Sequence, residues 1–209
     1  ENRLIVACGL SMIEKTKRPG LCALLDAVQS GQNTRGADGG QTTHKKRRIN
    51  AGFIGFGIAP RINASGRMAH ADIAAKLFLT SDRSRANELA ARLCEINRER
   101  QVEENRTAEE AMAKIEAERD GDRDRVVVVA SDGWKQGIIG IVASRVVEKY
   151  GMPAILITFE GCHRGDAADP DPSDIGKGSG RSVKGINLCD ALASCSDILT
   201  RYGGHELAA

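Results

Sequence analysis

Two short segments concentrate the side chains that hold phosphate. One is "GKGSGRS", Gly176 to Ser182, where three glycines, two serines, a lysine and an arginine stand together without an acidic residue. The other is "PRINASGRM", Pro60 to Met68, which carries the same Ser-Gly-Arg core more than a hundred residues earlier. The Arg181 guanidinium can meet a phosphate with two parallel N–H bonds, and the hydroxyls of Ser179 and Ser182 can donate beside it. Small residues such as Gly180 let a ligand approach backbone N–H groups. In the earlier segment Arg61 and Arg67 bracket Asn63 and Ser65 in the same chemical style. The doublet Gly203-Gly204 before His205 adds a third small-residue stretch. Each segment alone is equally well read as a turn with a surface arginine. Together they point to one phosphate chain held from two sides.

Several other site types fail on spacing. No Gly-x4-Gly-Lys-Ser/Thr run exists, and "GFIGFG" does not follow a strand and open a helix, so neither phosphate loop nor dinucleotide fold is indicated. Asp166, Asp169, Asp171 and Asp174 lie near His163, but Pro170 and Pro172 break calcium-loop geometry and the liganding glutamate is missing. Cys162 and His163 are adjacent, and adjacent residues seldom face each other as nucleophile and base. The six cysteines Cys8, Cys22, Cys94, Cys162, Cys189 and Cys195 form no CxxC pair, which reads as free thiols in a reducing cytosol without a zinc site. The formal net charge is +2, so attraction to an acidic partner must come from local clusters. With one Trp, two Tyr and four Phe the chain has few stacking platforms, so contact should run through phosphates, which carry no sequence information.

The elements that position these segments can be read along the 209 residues, enough for one large domain or two small ones. Leu4, Ile5, Cys8 and Met12, then Leu21, Leu24, Leu25 and Val28, fall at helical spacing, and Pro19-Gly20 separates them into two helices. Residues 31–50 are polar and glycine-rich with a basic run, Lys45 to Arg48, and read as a solvated loop. From Ser84 to Glu118 the pattern predicts one long helix, apolar at both ends and polar through "NRERQVEENRT", as a connector between two domains requires. The same pattern also suits a helix lying on the surface of one domain. "RVVVVA" then reads as a buried strand, "QGIIGIVASRVVEKYG" as a helix closed by Gly151, and "MPAILITF" as a second buried strand. That is a βαβ unit with a parallel pair. "SGRSV" reads as an edge strand, and "NLCDALASCSDILTRYGG" as a helix capped by Asn187 and closed by Gly203. The fold class is therefore α/β, two domains joined by a long helix, the second small and built on a βαβ unit. No apolar run is long enough to span a bilayer and no signal peptide opens the chain, so a cytoplasmic protein is expected. The start at Glu1 without methionine and the end in "GGHELAA" suggest a fragment.

The segments "ENRLIVACGL", "RPGLCALL", "FGIAPRINASGRM", "INRERQ", "DGWKQGIIGIVASRVVEKYGMPAILI", "GKGSGRSVKGINLCDAL" and "RYGGHELAA" resemble, in order and spacing, the RecJ family of single-stranded-DNA-specific exonucleases within the DHH phosphoesterase superfamily. The resemblance covers nearly the whole chain. It implies that residues 1–82 are the C-terminal portion of the catalytic DHH domain, 83–122 the connector helix and 123–209 the DHH-associated domain. It implies 5′-to-3′ hydrolysis of single-stranded DNA in repair and recombination, using Mn2+ or Mg2+ held by DHH-motif residues upstream of Glu1, so no metal and no catalysis are expected of this chain alone. It gives Arg67, Ser179 and Arg181, with Asn63 and Ser182, to DNA phosphates near the 5′ end, and sets Gly203, Gly204 and His205 beside the active-site cleft. Where the family usually has a histidine after the Trp of "DGWKQG", this chain has Lys135; the histidine's role does not carry over, although a lysine can serve a phosphate. Single-stranded DNA is the expected partner, with a single-strand-binding protein or helicase as further partners and a monomer as the expected state. Two alternatives stay open: a superfamily phosphoesterase acting on short oligoribonucleotides or nucleotide phosphates, and a non-catalytic nucleic-acid-binding scaffold.

Overall fold

The computed structural model describes residues 2–33, 49–118, 124–159 and 175–209. The basic run Lys45 to Arg48, the Cys162–His163 pair and Asp166, Asp169, Asp171 and Asp174 lie outside the described residues. The chain divides into two compact units, Glu1–Arg100 and Gln101–Ala209, and a single helix runs through the division.

The first unit is helical: α1 (Asn2–Glu14), α2 (Pro19–Asn33), a π-helical turn (Phe53–Ile58), α3 (Ala59–Met68), α4 (Asp72–Leu79) and the first half of α5 (Arg83–Glu118). Pro19 opens α2, where its missing N–H costs nothing, so the expected break falls as read. Ala23, Leu24 and Val28 of α2 pack with Phe53 and Ile58 of the π turn, Leu77 of α4, and Leu89 and Leu93 of α5. α2 crosses α4 so closely at Gly20 that a Cβ there would stand 1.8 Å from the Leu77 carbonyl oxygen. α1 differs from its sequence pattern. It buries no residue, and Leu4, Ile5 and Met12 are exposed.

α5 is one continuous helix of 36 residues. Its middle is less bare than the run of polar residues suggested. Glu104 is 5% exposed and accepts the Arg145 guanidinium, Asn105 accepts from the same arginine at 3.1 Å, and Thr107 is fully buried. Glu104 is buried here because a cation on the neighbouring helix meets it, which hydrophobic periodicity does not register. Only 98–103 lacks a buried side chain. Amides of 98–103 are therefore expected to exchange faster than those of 89–96 and 107–115, since tertiary packing supports only the flanking turns. Hydrogen exchange read by mass spectrometry checks this, and uniform protection along the helix would contradict it.

The second unit is an α/β sandwich of β1 (Val127–Asp132), α6 (Gln136–Tyr150), β2 (Ala154–Phe159), β3 (Lys177–Arg181) and α7 (Leu188–Ala193), with the C-terminal half of α5. β1 and β2 pair in parallel from Val127↔Ala154 to Asp132↔Phe159, as the βαβ reading requires, and β3 adds antiparallel to β2 in the order β1-β2-β3. α6 ends at Gly151, whose φ of 69° is a left-handed cap that glycine adopts without strain. Ile138, Ile139, Val142, Ala143 and Val146 of α6 are buried with Val127, Val129, Ala154 and Leu156 of the sheet. The expectation of a strand buried on both faces is corrected for β1: Val127 and Val129 are buried while Val128 is 53% exposed. Its continuous valines thus alternate between core and surface.

α5 is tied to β1 by polar groups. Lys114 donates to the Ala130 carbonyl at 3.0 Å and to the Ser131 hydroxyl at 2.9 Å, and Ser131 donates to Glu110 at 2.7 Å. Partial burial pushes the Glu110 carboxyl up, but the Ser131 hydrogen bond and the charges of Lys114 and Arg106 outweigh it and hold the group below its usual range. α7 is shorter than its apolar pattern indicated. Asn187 caps it, accepting from the Cys189 and Asp190 amides, but the helix stops at Ala193 rather than at Gly203. The run Ser194-Cys195-Ser196-Asp197 offers side chains that compete for backbone hydrogen bonds, and Ile198 beyond it is 78% exposed, so no burial sustains further turns.

Candidate phosphate-binding site

β3 explains why "GKGSGR" alternates. Opposite β2 the register pairs Arg181 with Ala154, Ser179 with Leu156 and Lys177 with Thr158, so these three polar side chains share one face of the sheet. Ala154, Leu156 and Thr158 are the buried residues of β2, and α6 lies on that face beside Ser179 and Arg181. The glycines share the other face. A Cβ at Gly176 would stand 2.8 Å from Ile157 and Phe159, and one at Gly180 would stand 2.6 Å from Leu188 of α7. They are glycines because apolar side chains lie against the strand there. This corrects the expectation that they open backbone N–H groups to a ligand. The Gly180 amide is already given to the Ala209 carbonyl at 2.6 Å and the Ser182 amide to the Leu207 carbonyl at 3.0 Å. What β3 offers outward is side chains.

Arg181 is half-buried, and its Nη1 donates to its neighbour's carbonyl, Gly180, at 2.6 Å and to the Ser179 hydroxyl at 3.2 Å. Among the described residues no carboxylate pairs with it. By contrast Arg83, Arg85, Arg92, Arg106 and Arg145 each meet an aspartate or glutamate. A half-desolvated guanidinium fixed by neutral acceptors on its own strand keeps its charge for an outside anion. Ser182 is turned differently: its hydroxyl donates to the Ile186 carbonyl at 2.8 Å and so closes the turn after β3.

The C-terminal stretch joins this strand. Arg181 bridges to Ala208, and the Leu188 amide donates to the Glu206 carbonyl at 2.8 Å. His205 and Ala208 close a tight turn through their backbones, at 2.7 and 3.2 Å. Gly204 precedes it with a φ of 155°, and a Cβ there would stand 2.3 Å from the Ala208 carbonyl oxygen. The structure thus brings Gly204 and His205 to the end of β3 that carries Arg181; Gly203 and the His205 side chain are exposed.

In the first unit "RINASGRM" is helix rather than loop, so its amides belong to α3 and only side chains can meet a ligand. Asn63 and Arg67, four residues apart, lie on one exposed face. Arg61 is half-buried and donates through Nη1 to the Gly57 carbonyl one turn back, which braces the π turn. Ser65 is fully buried and donates to the Ile62 carbonyl at 2.7 Å. Lys135 is exposed at the start of α6.

Two residues beside the site carried no signal by themselves. Lys177 reaches Gln136 across the β3–α6 junction at 3.5 Å, and Gly140 of α6 lies directly against Ser179 and Arg181. A glycine inside an apolar helix was the available hint, but which distant strand it faces is not written locally. Among the described residues no group of three or more His, Cys, Asp or Glu could hold a metal ion, so these residues do not fit a metal centre and no metal-assisted step is assigned to them. No described helix is long and apolar enough to cross a membrane.

Residues 123–209 match the DHHA1 domain family. Over all 209 residues the chain is 37% identical to the single-stranded-DNA-specific exonuclease RecJ of Bacillus subtilis, and covers 23% of that protein. Over its whole length the chain is similar to RecJ exonucleases. Against the crystal structure of RecJ with Mg2+ from Thermus thermophilus it superposes with a TM-score of 0.75 at 31% identity, covering 99% of this chain and 27% of that one. A manganese-bound exonuclease RecJ gives a TM-score of 0.72 at 31% identity, with 99% and 44% covered. The chain thus spans about a quarter of the length of the RecJ relative from Bacillus, and what β3, α6 and α3 present is the part of a RecJ fold it contains.

Proposed function

We propose that this chain is the phosphate-holding portion of a 5′-to-3′ single-stranded-DNA exonuclease acting in DNA repair and recombination. The observation that carries the reading is Arg181, a half-buried guanidinium whose only described partners are neutral groups of its own strand. The relatives' name as single-stranded-DNA-specific exonucleases supports the substrate class. Arg181 with Ser179, and Arg67 with Asn63, contact phosphates; Ser182, Gly180, Gly203, Gly204 and Arg61 shape the backbone that carries them, and His205 lies nearest the reacting end. Residues 1–82 are the end of the catalytic domain and 83–122 the connector. Hydrolysis, and the Mg2+ or Mn2+ that supports it, belongs to the rest of the full-length protein; the chain alone releases no nucleotides. The protein works as a cytoplasmic monomer, together with a single-strand-binding protein or helicase.

The test is digestion by the full-length protein. Release of mononucleotides from a long 5′-phosphorylated single strand, with dinucleotides left largely intact, is the expected result. Preferential cleavage of dinucleotides would assign the site to a small-substrate phosphoesterase instead, and no cleavage of either would make it a binding scaffold.

A further inference from the structure

We propose that Gly140 is a positioning residue for phosphate recognition: by lacking a side chain it leaves the space in which Arg181 and Ser179 are set. The inference rests on the reading that Arg181 contacts phosphate. Gly140 is buried in the first half of α6, a 15-residue helix otherwise rich in Ile and Val. Glycine inside a helix is disfavoured relative to alanine, so its presence calls for a local reason. The surroundings supply one. A Cβ at Gly140 would stand 2.9 Å from Arg181 Nη2 and 2.9 Å from Ser179 Oγ, with Arg181 Cζ at 3.6 Å.

What such a Cβ would meet decides the consequence. Both close atoms are the ends of side chains, and neither is backbone. At Gly20 and Gly204 the obstructing atoms are carbonyl oxygens, so substitution there would deform the chain itself. At Gly140 the strand and helix can stay in place while the guanidinium and hydroxyl give way. Those two groups are also bonded to each other, Nη1 to Oγ at 3.2 Å, so displacing one disturbs the other. A bidentate contact depends on the plane and direction of the fork, not only on its charge. Gly140→Ala is therefore a variant whose helix is favoured while its phosphate contact is misdirected.

The experiment compares the unmodified full-length protein with Gly140→Ala, Arg181→Ala and the double variant. Binding of a 5′-phosphorylated 20-nucleotide oligo(dT) is read in EDTA, alongside thermal unfolding. Gly140→Ala is expected to unfold at the same temperature or higher, yet to bind roughly tenfold more weakly, the size of one misdirected charge-assisted bond. The double variant should bind no more weakly than Arg181→Ala alone, because both changes act through one guanidinium. If Arg181→Ala weakens binding while Gly140→Ala binds like the unmodified protein, the positioning role is overturned and the phosphate reading stands. If Arg181→Ala itself changes nothing, the phosphate reading fails and the positioning role falls with it. A lowered unfolding temperature for Gly140→Ala, or losses that add in the double variant, would make Gly140 a packing residue and overturn the proposal.

Discussion

Arg145→Met is expected to destabilise the second unit by about 3 kcal/mol, because it takes the Arg145 cation from the Glu104 carboxylate in a site that is only 5% exposed. Removing one partner of a buried pair is costly because the remaining charge keeps its desolvation penalty with less compensation. The value sits at the low end of the usual range since the Arg145 side chain is itself 41% exposed. The Asn105 bond to the same guanidinium is lost as well. The double variant Glu104→Gln, Arg145→Met should recover much of the loss, since it leaves no charge behind. Urea unfolding reads this as a lower midpoint with an unchanged slope. A loss below about 1 kcal/mol would mean that water reaches Glu104 and that its pair with Arg145 adds little to the packing of α5 on α6.

That pair also marks the limit of what the amino-acid pattern carries. The break at Pro19, the extent of α5 and the β1–α6–β2 crossover were legible, because each depends on local chemistry: a missing N–H, a sustained 3.6 period, and apolar runs separated by a helix. The burial of Glu104 was not, because its cause is an arginine some forty residues away. β1 looked wholly buried because its valines do not alternate with polar residues, and only the burial pattern in the fold shows that Val128 faces outward. α7 shows the opposite failure. Its cap is local and was read correctly, but its length depended on burial that residues after Ala193 do not obtain.

The candidate site divides in the same way. The residue types of "GKGSGRS" marked a candidate phosphate-binding segment, and the structure keeps Lys177, Ser179 and Arg181 on one face. The reason for its glycines was legible only in part: the period of two was present, but the apolar groups they admit, Ile157, Phe159 and Leu188, come from β2 and α7. In "RINASGRM" the residue types allowed a turn, yet Ala64 and the apolar Ile62 are compatible with the helix observed, and of the polar candidates there it leaves Asn63 and Arg67 exposed.

Alanine at Arg67 or Arg181 is expected to reduce the salt dependence of single-strand binding. Each phosphate neutralised on a single strand contributes about 0.7 to the slope of log affinity against log salt, so each substitution should lower the magnitude of the slope by roughly that amount. Lysine at either position keeps the charge and so keeps the slope, but loses the two-pronged bond, and affinity falls. The losses should be equal for pyrimidine-rich and purine-rich strands, because phosphate contacts position a strand without reading it. The measurement is a salt titration of oligonucleotide binding by the full-length protein in EDTA, with thermal unfolding as the check on folding. The account expects the slope to fall by roughly 0.7 for each alanine and by about twice that for both together. An unchanged slope with alanine at both positions in a folded protein would contradict it.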